Sequence, residues 1–262
     1  MNPIGRATRS FYDRYSYDFE TSEHASMQLD ASLLGQAVAR VREGDLVLDA
    51  GCGTGLATRL LRGQTRARQV FGLDLSRGSL LRNRTLPGTA LVQGDILNLP
   101  IASDSLDLVV SRGVIMTTGD PEGAFRELVR VTRPGGTFFV RVYNARNVYR
   151  PVYEVLGPIC RGIASIPGGK TALAIVAVPP FWLVLQILVL LLRGRPIAMS
   201  PLVLWNFFAD QMLVPHNSFH TVEEVKAWGE RAGCRCEAEG AITMGQQIEF
   251  LFVKESATAR DA

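Results

Sequence analysis

Three aspartates and one glycine loop have residue types and spacing suited to binding a nucleoside. Asp49 opens the loop Asp49-Ala50-Gly51-Cys52-Gly53-Thr54-Gly55, while Asp74 and Asp95 follow further along the chain. Each aspartate comes at or just after the end of a short apolar run, as in a buried parallel strand. Because ligands of open α/β sheets bind beyond the carboxyl ends of the strands, we expect the loop and the three acids to line one site.

The loop spacing and the acids indicate what kind of nucleoside binds. The glycines follow G-x-G-x-G, whereas the dinucleotide fingerprint is G-x-G-x-x-G and a P-loop carries a lysine. Asp49 would repel a pyrophosphate but could hold an amino group. Asp74 could bind both ribose hydroxyls, and Asp95 could accept from the adenine amino group. The pattern favours a nucleoside without phosphates, with an NAD site as the alternative.

The elements that must position these residues alternate along the chain. Apolar runs predict strands at residues 46–48, 69–73, 90–93, 106–111 and 137–143, separated by helices at 56–62, 76–84 and 121–131. A helix at 8–41 precedes them, and residues 134–136 read as a turn. A helix at 222–232, with Thr221 as N-cap and Gly233 as C-cap, precedes an antiparallel pair at 236–242 and 247–254 joined at Met244-Gly245. This alternation predicts a doubly wound α/β sheet.

Residues 46–142 resemble class I S-adenosylmethionine-dependent methyltransferases of the small-molecule type. Four motifs carry the resemblance in order: Val47-Leu48-Asp49-Ala50-Gly51-Cys52-Gly53-Thr54-Gly55, Gly72-Leu73-Asp74-Leu75-Ser76, Gly94-Asp95-Ile96-Leu97-Asn98-Leu99-Pro100 and Arg133-Pro134-Gly135-Gly136-Thr137. The resemblance implies a Rossmann-like seven-stranded sheet with an antiparallel last strand. It also implies S-adenosyl-L-methionine as the cofactor and S-adenosyl-L-homocysteine as the product.

The resemblance also implies which residues bind the cofactor. They are Asp49, Gly51, Cys52, Gly53, Gly55, Asp74, Leu75, Asp95, Ile96, Ser111 and Arg112. Many relatives carry a His pair after the fourth strand, where this chain has Met116-Thr117, so we expect no general base there. No acid pair follows that strand either, and no metal is expected.

Residues 144–221 interrupt the alternation and contain an uncharged run, residues 171–192, bracketed by Lys170 and Arg193. Its length would suffice for a transmembrane helix, but Pro179-Pro180 divides it into two pieces too short to span. Two short apolar helices are therefore expected. They form a lid over a substrate chamber, lie in a membrane interface with Trp182, Arg161, Arg193 and Arg195 near the headgroups, or simply pack on their own domain. The first two arrangements predict a lipophilic acceptor, such as an isoprenoid, a polyketide or a lipid-like molecule.

The loop after this insert carries two histidines, His216 and His220. Histidine can deprotonate a hydroxyl near neutral pH, so either could be the general base. Alternatively, His220 hydrogen-bonds the start of the next helix or Asp210. Aromatic residues expected to contact the substrate are Tyr12, Tyr15, Tyr17, Trp182 and Trp205.

Composition restricts the remaining functions. A net charge of +3 in 262 residues, without a dense basic block, does not suggest nucleic-acid binding. The four cysteines lack zinc-site spacing and no secretory signal is recognised, so reduced thiols and a cytoplasmic location, with membrane association left open, are expected.

We predict a cofactor-binding core (1–143), a helical substrate cap (144–221) and a completing segment (222–262), and leave the oligomeric state open. The predicted function is methylation of O, N or C on a small lipophilic acceptor. The alternatives are a non-methylating enzyme that binds the same cofactor and a membrane-associated non-catalytic binding protein.

Overall fold

The computed structural model describes residues 1–15, 33–83, 87–194, 196, 200–242 and 245–256. Its centre is an eight-stranded sheet in the spatial order β3-β2-β1-β4-β5-β8-β7, with β6 paired to β5 beside this path. The strands are β1 (Leu46–Ala50), β2 (Gln69–Asp74), β3 (Thr89–Gln93), β4 (Leu106–Arg112), β5 (Thr132–Asn144), β6 (Phe219–His220), β7 (Cys234–Ile242) and β8 (Gln247–Lys254).

The strand directions confirm the predicted fold class. Strands β1 to β5 pair in parallel, and β8 runs antiparallel to both β5 and β7. The fold is therefore the expected Rossmann-like α/β sheet with antiparallel strands from the end of the chain. The eighth strand, beyond the predicted seven, is the two-residue β6, which pairs in parallel with the end of β5.

Helices cover both faces of the sheet because consecutive strand residues bury their side chains on opposite faces. Leu48, Val109 and Phe138 belong to one apolar cluster, while their neighbours Val47 and Leu108 belong to another. The helices are α1 (Pro3–Arg14), α2 (Leu33–Val38), α3 (Leu56–Gln64), α4 (Arg77–Arg82), α5 (Pro121–Val131), α6 (Tyr149–Ser165), α7 (Gly169–Val176), α8 (Val178–Arg193), α9 (Pro201–Met212) and α10 (Val222–Arg231).

The turn predicted at residues 134–136 lies inside β5 rather than before it. Leu106 of β4 pairs with Thr132, and pairing resumes at Leu108 with Thr137. The intervening residues of β5 therefore bulge out opposite Asp107, with Gly135 at a φ of 75°. The prediction was wrong because pairing on both sides of the glycines keeps the strand continuous.

The N-terminal helix predicted over residues 8–41 is also wrong. Helix α1 begins at Pro3, where the Asn2 side chain accepts a hydrogen bond from the Gly5 amide at 2.7 Å. It ends at Arg14, because Tyr15 has an extended backbone. Of the predicted apolar stripe, Leu33 to Val38 forms α2, and Leu29 lies outside the described residues.

The insert has four helices, α6 to α9, and the two predicted for the uncharged run correspond to α7 and α8. The four helices share an apolar cluster that includes Tyr153, Leu173, Val178 and Phe208, and that also receives Phe11 of α1. The uncharged run breaks between α7 and α8, with proline in the first turn of α8. Within the described residues, one helical stretch, Gly169–Leu191, is long and apolar enough to cross a membrane by length and composition alone.

The predicted start of α10 is confirmed in detail. The Thr221 hydroxyl accepts a hydrogen bond from the Glu224 amide at 3.2 Å, and Gly233 follows the helix with a φ of 70°. Serine or threonine at this position satisfies an amide that has no partner within the helix. This cap fixes where the loop with the two histidines meets the last helix.

Candidate active site

A cavity opens beyond the carboxyl ends of β1, β2 and β4 and continues under α1 and α9. The sheet side contributes the glycine loop and the residues that follow three strands. The opposite side consists of residues from α1, α9 and the loop before β6. The polar residues around it include Asn2, Thr8, Tyr12, Asp49, Asp74, Asp95, Arg112, Arg141, Tyr143, Asp210, Asn217 and Gln247.

The glycine loop folds back against the second strand. The amides of Gly51 and Cys52 both donate to the Leu73 carbonyl, at 2.7 and 2.9 Å. Gly51 has a φ of 87°, and a Cβ there would lie 2.3 Å from a Val114 methyl group. At Gly53 (φ 52°) a Cβ would meet nothing within 4 Å, so this backbone faces open space. The loop therefore presents bare backbone to the cavity.

Asp74 ties this loop to the end of β2. One carboxylate oxygen accepts from the Gly53 amide and the other from the Ser76 amide, each at 2.8 Å. Burial raises the pKa of Asp74 above its ordinary value, and the two amide hydrogen bonds oppose that shift. Each oxygen keeps a further lone pair, so the carboxylate can still accept hydrogen bonds from a ligand.

Asp49 lies deeper and is 1% exposed. The Thr58 hydroxyl donates to its carboxylate at 2.7 Å. Burial raises the pKa of Asp49 to about 6; Thr58 and the charge of Arg112 oppose the shift, and Asp74 adds to it. A buried carboxylate of this kind gains from a cation placed beside it.

The third acid shapes the segment after β3. Asp95 accepts from the Leu97 amide at 3.0 Å through its side chain and from the Asn98 amide at 2.9 Å through its carbonyl. The tight turn that results brings Ile96 and Leu97 to the cavity together with Asp95. The acid and the apolar side chains thus frame one end of the cavity.

The opposite wall is joined to the core by hydrogen bonds from α1. The Thr8 hydroxyl donates to the Thr117 carbonyl at 3.2 Å. The Tyr12 hydroxyl donates to the Asp210 carboxylate at 3.1 Å, which links α1 to α9 across the cavity. At the far end of α1, Asp13 accepts from the Ser76 hydroxyl at 2.7 Å.

A buried ion pair supports the far end of the cavity. Arg141 of β5 and Glu249 of β8 face each other in the sheet register, and Arg141 Nε donates to Glu249 Oε1 at 3.0 Å. The second Glu249 oxygen accepts from the Leu33 amide at 2.9 Å. Nearby, the buried Asn217 lines the cavity, and its Nδ2 has no hydrogen-bond partner among the described residues. The Asn217 side chain can therefore donate a hydrogen bond to a bound molecule.

A family model for the methyltransferase domain matches residues 48–140. Residues 48–140 form a class I S-adenosylmethionine-dependent methyltransferase domain. The chain is 34% identical over 133 residues to the malonyl-[acyl-carrier protein] O-methyltransferase of Serratia marcescens, over 50% of each protein. It is 37% identical over 117 residues to the demethylmenaquinone methyltransferase of Corynebacterium kroppenstedtii, over 44% of this chain and 48% of that protein.

The chain spans about half the length of the curated relatives it matches. Similarity of fold extends further along the chain. The crystal structure of geranyl diphosphate C-methyltransferase from Streptomyces coelicolor matches 97% of this chain and 98% of its own, with a TM-score of 0.59 and 12% identity. At that identity the match concerns the fold alone.

Most of the residues expected to bind the methyltransferase cofactor line the cavity. They are Asp49, Gly51, Cys52, Gly53, Asp74, Leu75, Asp95, Ile96 and Arg112. Gly55 and Ser111 are not among the lining residues. Gly55 (φ 87°) is the N-cap of α3, and a Cβ there would lie 1.9 Å from the Asn83 side chain, so it shapes the loop. Ser111 is fully buried within β4.

Neither of the two predicted histidines lines the cavity. His220 is buried, with Nε2 2.7 Å from the Ser218 hydroxyl and Nδ1 3.0 Å from a Glu224 oxygen. These contacts correspond to the alternative in which His220 hydrogen-bonds the start of the following helix rather than acting as a base. His216 is half-buried, and burial together with His220 lowers its pKa. The loop reaches the cavity through Asn217, between the two.

The aromatic residues expected to contact the substrate lie in different parts of the structure. Tyr12 lines the cavity, whereas Tyr15 and Trp205 pack against each other, with ring centroids 6.5 Å apart, at the edge of the insert's apolar cluster. Trp182 is half-buried on α8, and Tyr17 lies outside the described residues. Tyr12 is thus the one of this set that reaches the site within the described part of the chain.

Three cavity residues were missed as site candidates: Arg141, Asp210 and Asn217. An arginine inside the apolar run of β5 and an acid inside that of β8 are a sequence signal that could have been used, because buried charges need partners. Asp210 and Asn217 lie in the motif around the histidines, but nothing in the spacing ranks them above those histidines.

The four cysteines, Cys52, Cys160, Cys234 and Cys236, are free thiols. Burial raises the pKa of Cys52, the one in the glycine loop, so it remains a neutral thiol. Within the described residues, no group of three or more His, Cys, Asp or Glu side chains is arranged to hold a metal ion.

Proposed function

We propose that the protein transfers the methyl group of S-adenosylmethionine to a small lipophilic acceptor bound between the strand ends and the helical insert. One observation carries the proposal. A single continuous cavity takes one wall from the family's cofactor motifs and the other from α1 and α9. A cofactor on the sheet side would therefore share an enclosed space with a molecule admitted from the insert side.

The sheet side of the cavity fits a cationic nucleoside. Asp74 keeps lone pairs for two ribose hydroxyls, and the bare backbone at Gly53 admits a close ligand. Asp49 and Arg112 carry opposite charges close enough for Arg112 to lower the pKa of Asp49. We assign this pair to the ammonium and carboxylate of the cofactor's amino-acid end. Asp95, Ile96 and Leu75 are assigned to adenine.

The bound cofactor would supply an electrophilic methyl group on a sulfonium centre. The chain's own contribution is then to orient the acceptor in line with that group and to exclude water, effects worth many orders of magnitude in rate. Tyr12 and Thr8 hold α1 over the cavity, which supports exclusion of water.

Asp210 is the residue we assign to the acceptor's proton. It is the acid that α9 contributes to the cavity wall, and Tyr12 donates to one of its oxygens. Gln211 donates to the other at 3.1 Å. A carboxylate held by two neutral donors can accept a proton from an acceptor hydroxyl. Asn217 Nδ2 would orient the same molecule. This assignment replaces the role expected for His216 and His220.

The lipophilic class of the acceptor is supported by the insert, whose four helices are largely aliphatic, and by relatives whose names include a demethylmenaquinone methyltransferase. The polar groups at the end of the cavity suit an acceptor with one oxygen-bearing head on an apolar body. Ligand pockets commonly combine an apolar lining with a few polar groups in this way.

Two measurements test the function. Calorimetry should give saturable binding of S-adenosylmethionine and S-adenosylhomocysteine. Incubation with cofactor carrying a deuterated methyl group, in the presence of a cell extract, should place the label in the organic phase after extraction. Absence of cofactor binding refutes the proposal. Binding without label transfer favours the non-methylating alternative, and transfer of label only to water-soluble products other than the cofactor refutes the lipophilic class.

A further inference from the structure

The exposed apolar side chains of this protein are concentrated on the helical insert. Of the 18 large apolar side chains that are exposed among the described residues, 14 lie between Val148 and Leu202. On α6 they are Val152, Val155, Leu156 and Ile159; on α7, Ile175 and Val176; and on α8, Leu183, Val184, Ile187, Leu190 and Leu191. We call these eleven residues the aliphatic face.

Three helices of the insert, α6, α7 and α8, have several exposed apolar side chains. On α6 the exposed residues recur at three- and four-residue spacing, so they share one side of the helix. Tyr153 and Cys160 of the same helix are buried and belong to the apolar cluster beneath. A helix on a protein surface ordinarily carries polar residues on its outer side. In the apolar window of Gly169–Leu191, only 12% of the residues are buried.

We propose that the aliphatic face is a docking surface for a lipid bilayer, on which the insert lies in the interface without spanning it. The docking deepens the proposed function and rests on it in one respect, because the bilayer would be the source of the lipophilic acceptor. Helices that lie in the interface bury an apolar side to the depth of the headgroup and acyl boundary.

The charge of the insert matches an anionic lipid surface. Between residues 145 and 212 the chain has six basic residues, Arg146, Arg150, Arg161, Lys170, Arg193 and Arg195, and two acidic ones, Glu154 and Asp210. The whole chain has 28 basic and 25 acidic residues, so outside the insert the charges nearly balance. Asp210 lines the cavity, and Glu154 is paired with Arg150 at 2.8 Å. The sequence of the insert therefore has four more basic than acidic residues, an excess that favours an anionic lipid surface.

The chemistry of the face favours a bilayer over a second copy of the chain. Protein interfaces mix apolar contacts with about one hydrogen bond per 100–200 Å². All members of the aliphatic face are valine, leucine or isoleucine, which offer no hydrogen bond. Trp182 is half-buried on α8, beside the exposed Leu183. Tryptophan is enriched where protein meets the membrane interface.

The docking is tested with full-length protein and lipid vesicles that float in a density gradient. Wild type should float with vesicles of phosphatidylcholine and phosphatidylglycerol, and less with phosphatidylcholine alone. The double variant Leu183→Asp/Leu191→Asp should lower the partition coefficient by about tenfold or more, because two charges replace apolar contacts. Leu81→Asp is the matched control, since Leu81 is 75% exposed on α4 and Leu191 is 78% exposed on α8. It should float like wild type.

Tryptophan fluorescence gives a second readout. Lipids brominated on the acyl chains should quench the protein's fluorescence, and most of this quenching should disappear in Trp182→Phe. Binding of S-adenosylhomocysteine, measured by calorimetry on every variant, shows whether the fold is intact. If the double variant no longer floats but still binds S-adenosylhomocysteine, the docking surface is supported. If wild type does not bind S-adenosylhomocysteine, that result counts against the proposed function alone.

Three results overturn the docking proposal. Wild type does not float with either vesicle; or the double variant floats as well as Leu81→Asp; or wild type is a dimer without lipid that the double variant dissociates. The last result would identify a second copy of the chain as the occupant of the aliphatic face.

Discussion

Tyr12 and Asp210 join the N-terminal helix to the insert, with the tyrosine hydroxyl donating to the carboxylate at 3.1 Å across the cavity. The two residues are far apart in the chain, and each belongs to an element outside the family's cofactor motifs. Their contact closes the space in which cofactor and acceptor would meet.

Tyr12→Phe should speed the release of S-adenosylhomocysteine by about tenfold, because a hydrogen bond to a charged group contributes about 1.5–3 kcal/mol and here holds α1 in place. Stopped-flow displacement measures the rate. Tyr15→Phe is the control, since Tyr15 packs against Trp205 and does not line the cavity. Equal rates for the two variants would mean that α1 does not restrict release.

Asp74→Asn should weaken S-adenosylmethionine binding by about tenfold to a hundredfold. The substitution removes the negative charge and replaces one of the two carboxylate oxygens, which hold the loop and would hold the ligand, by an NH₂ group that cannot accept a hydrogen bond. Calorimetry measures the Kd. Asp104→Asn serves as a control, because Asp104 is exposed, remote from the cavity and at a φ of 57° that asparagine tolerates. An unchanged Kd for Asp74→Asn would remove Asp74 from the site.

Cofactor affinity should depend on pH through Asp49. The pKa of this carboxyl is raised to about 6 by burial, so it is mostly protonated below pH 6 and charged above it. A cationic ligand needs the charged form, so the Kd should rise by up to about tenfold per pH unit below pH 6 and level off above pH 7. Asp49→Asn should flatten this dependence between pH 5 and about pH 8, the range in which calorimetry checks it.

The same shift has a consequence for stability without ligand. Because the pKa of Asp49 in the folded state lies above its ordinary value of 3.8, the folded protein binds more protons than the unfolded one between pH 4 and about pH 6. The contribution of Asp49 to the free energy of unfolding therefore falls as pH rises through this window. Denaturant titrations of wild type and Asp49→Asn should converge toward low pH; a difference that grows toward pH 4 would contradict the assignment.

Asp210→Asn should lower the rate of methyl transfer by about a hundredfold or more, because general base catalysis contributes 10²–10⁴ in rate. It should weaken cofactor binding no more than Tyr12→Phe does, since both changes affect the same hydrogen bond. Label transfer into the organic extract measures the rate. His216→Ala is the informative comparison, because His216 lies in the loop that follows α9 and does not line the cavity. A larger loss with His216→Ala would return the role of base to the histidine.

Glu249→Gln should destabilise the fold by about 3–5 kcal/mol, since it leaves Arg141 charged and buried without its counter-ion. The double variant Arg141→Met/Glu249→Met should recover much of that loss, because neither charge remains. Chemical denaturation gives the free energies. Glu154→Gln, which breaks a half-exposed ion pair, should change stability little. A double variant less stable than Glu249→Gln would refute the explanation.

The cofactor side of the site could be predicted from local sequence because each of its residues is set by its own strand. Asp49, Asp74 and Asp95 come at the ends of β1, β2 and β3, and parallel pairing carries strand ends to one edge of the sheet. The antiparallel pair of β7 and β8 was equally local, since a short turn leaves no other pairing. The bounds of these elements in the structure agree with the bounds predicted from the sequence within a few residues.

The acceptor side could not be predicted in this way because its residues depend on contacts between distant elements. The histidines were chosen for their chemistry, but pairing of β6 with β5 turns His220 toward Ser218 and Glu224. Asp210 reaches the cavity because α9 packs on α6 and α1 through a shared apolar cluster. No local sequence pattern predicts which side of α9 faces the cavity once the helices have packed.

The sequence by itself determined the sheet, its cofactor motifs and the uncharged run of the insert, because periodicity, glycine spacing and strand-end acids are local properties. Only the tertiary structure decided that Arg141 pairs with Glu249, that Asp210 rather than either histidine lines the cavity, and that the aliphatic face points outward. Each of these depends on which surfaces meet when the helices pack, and residues distant in the chain supply those surfaces.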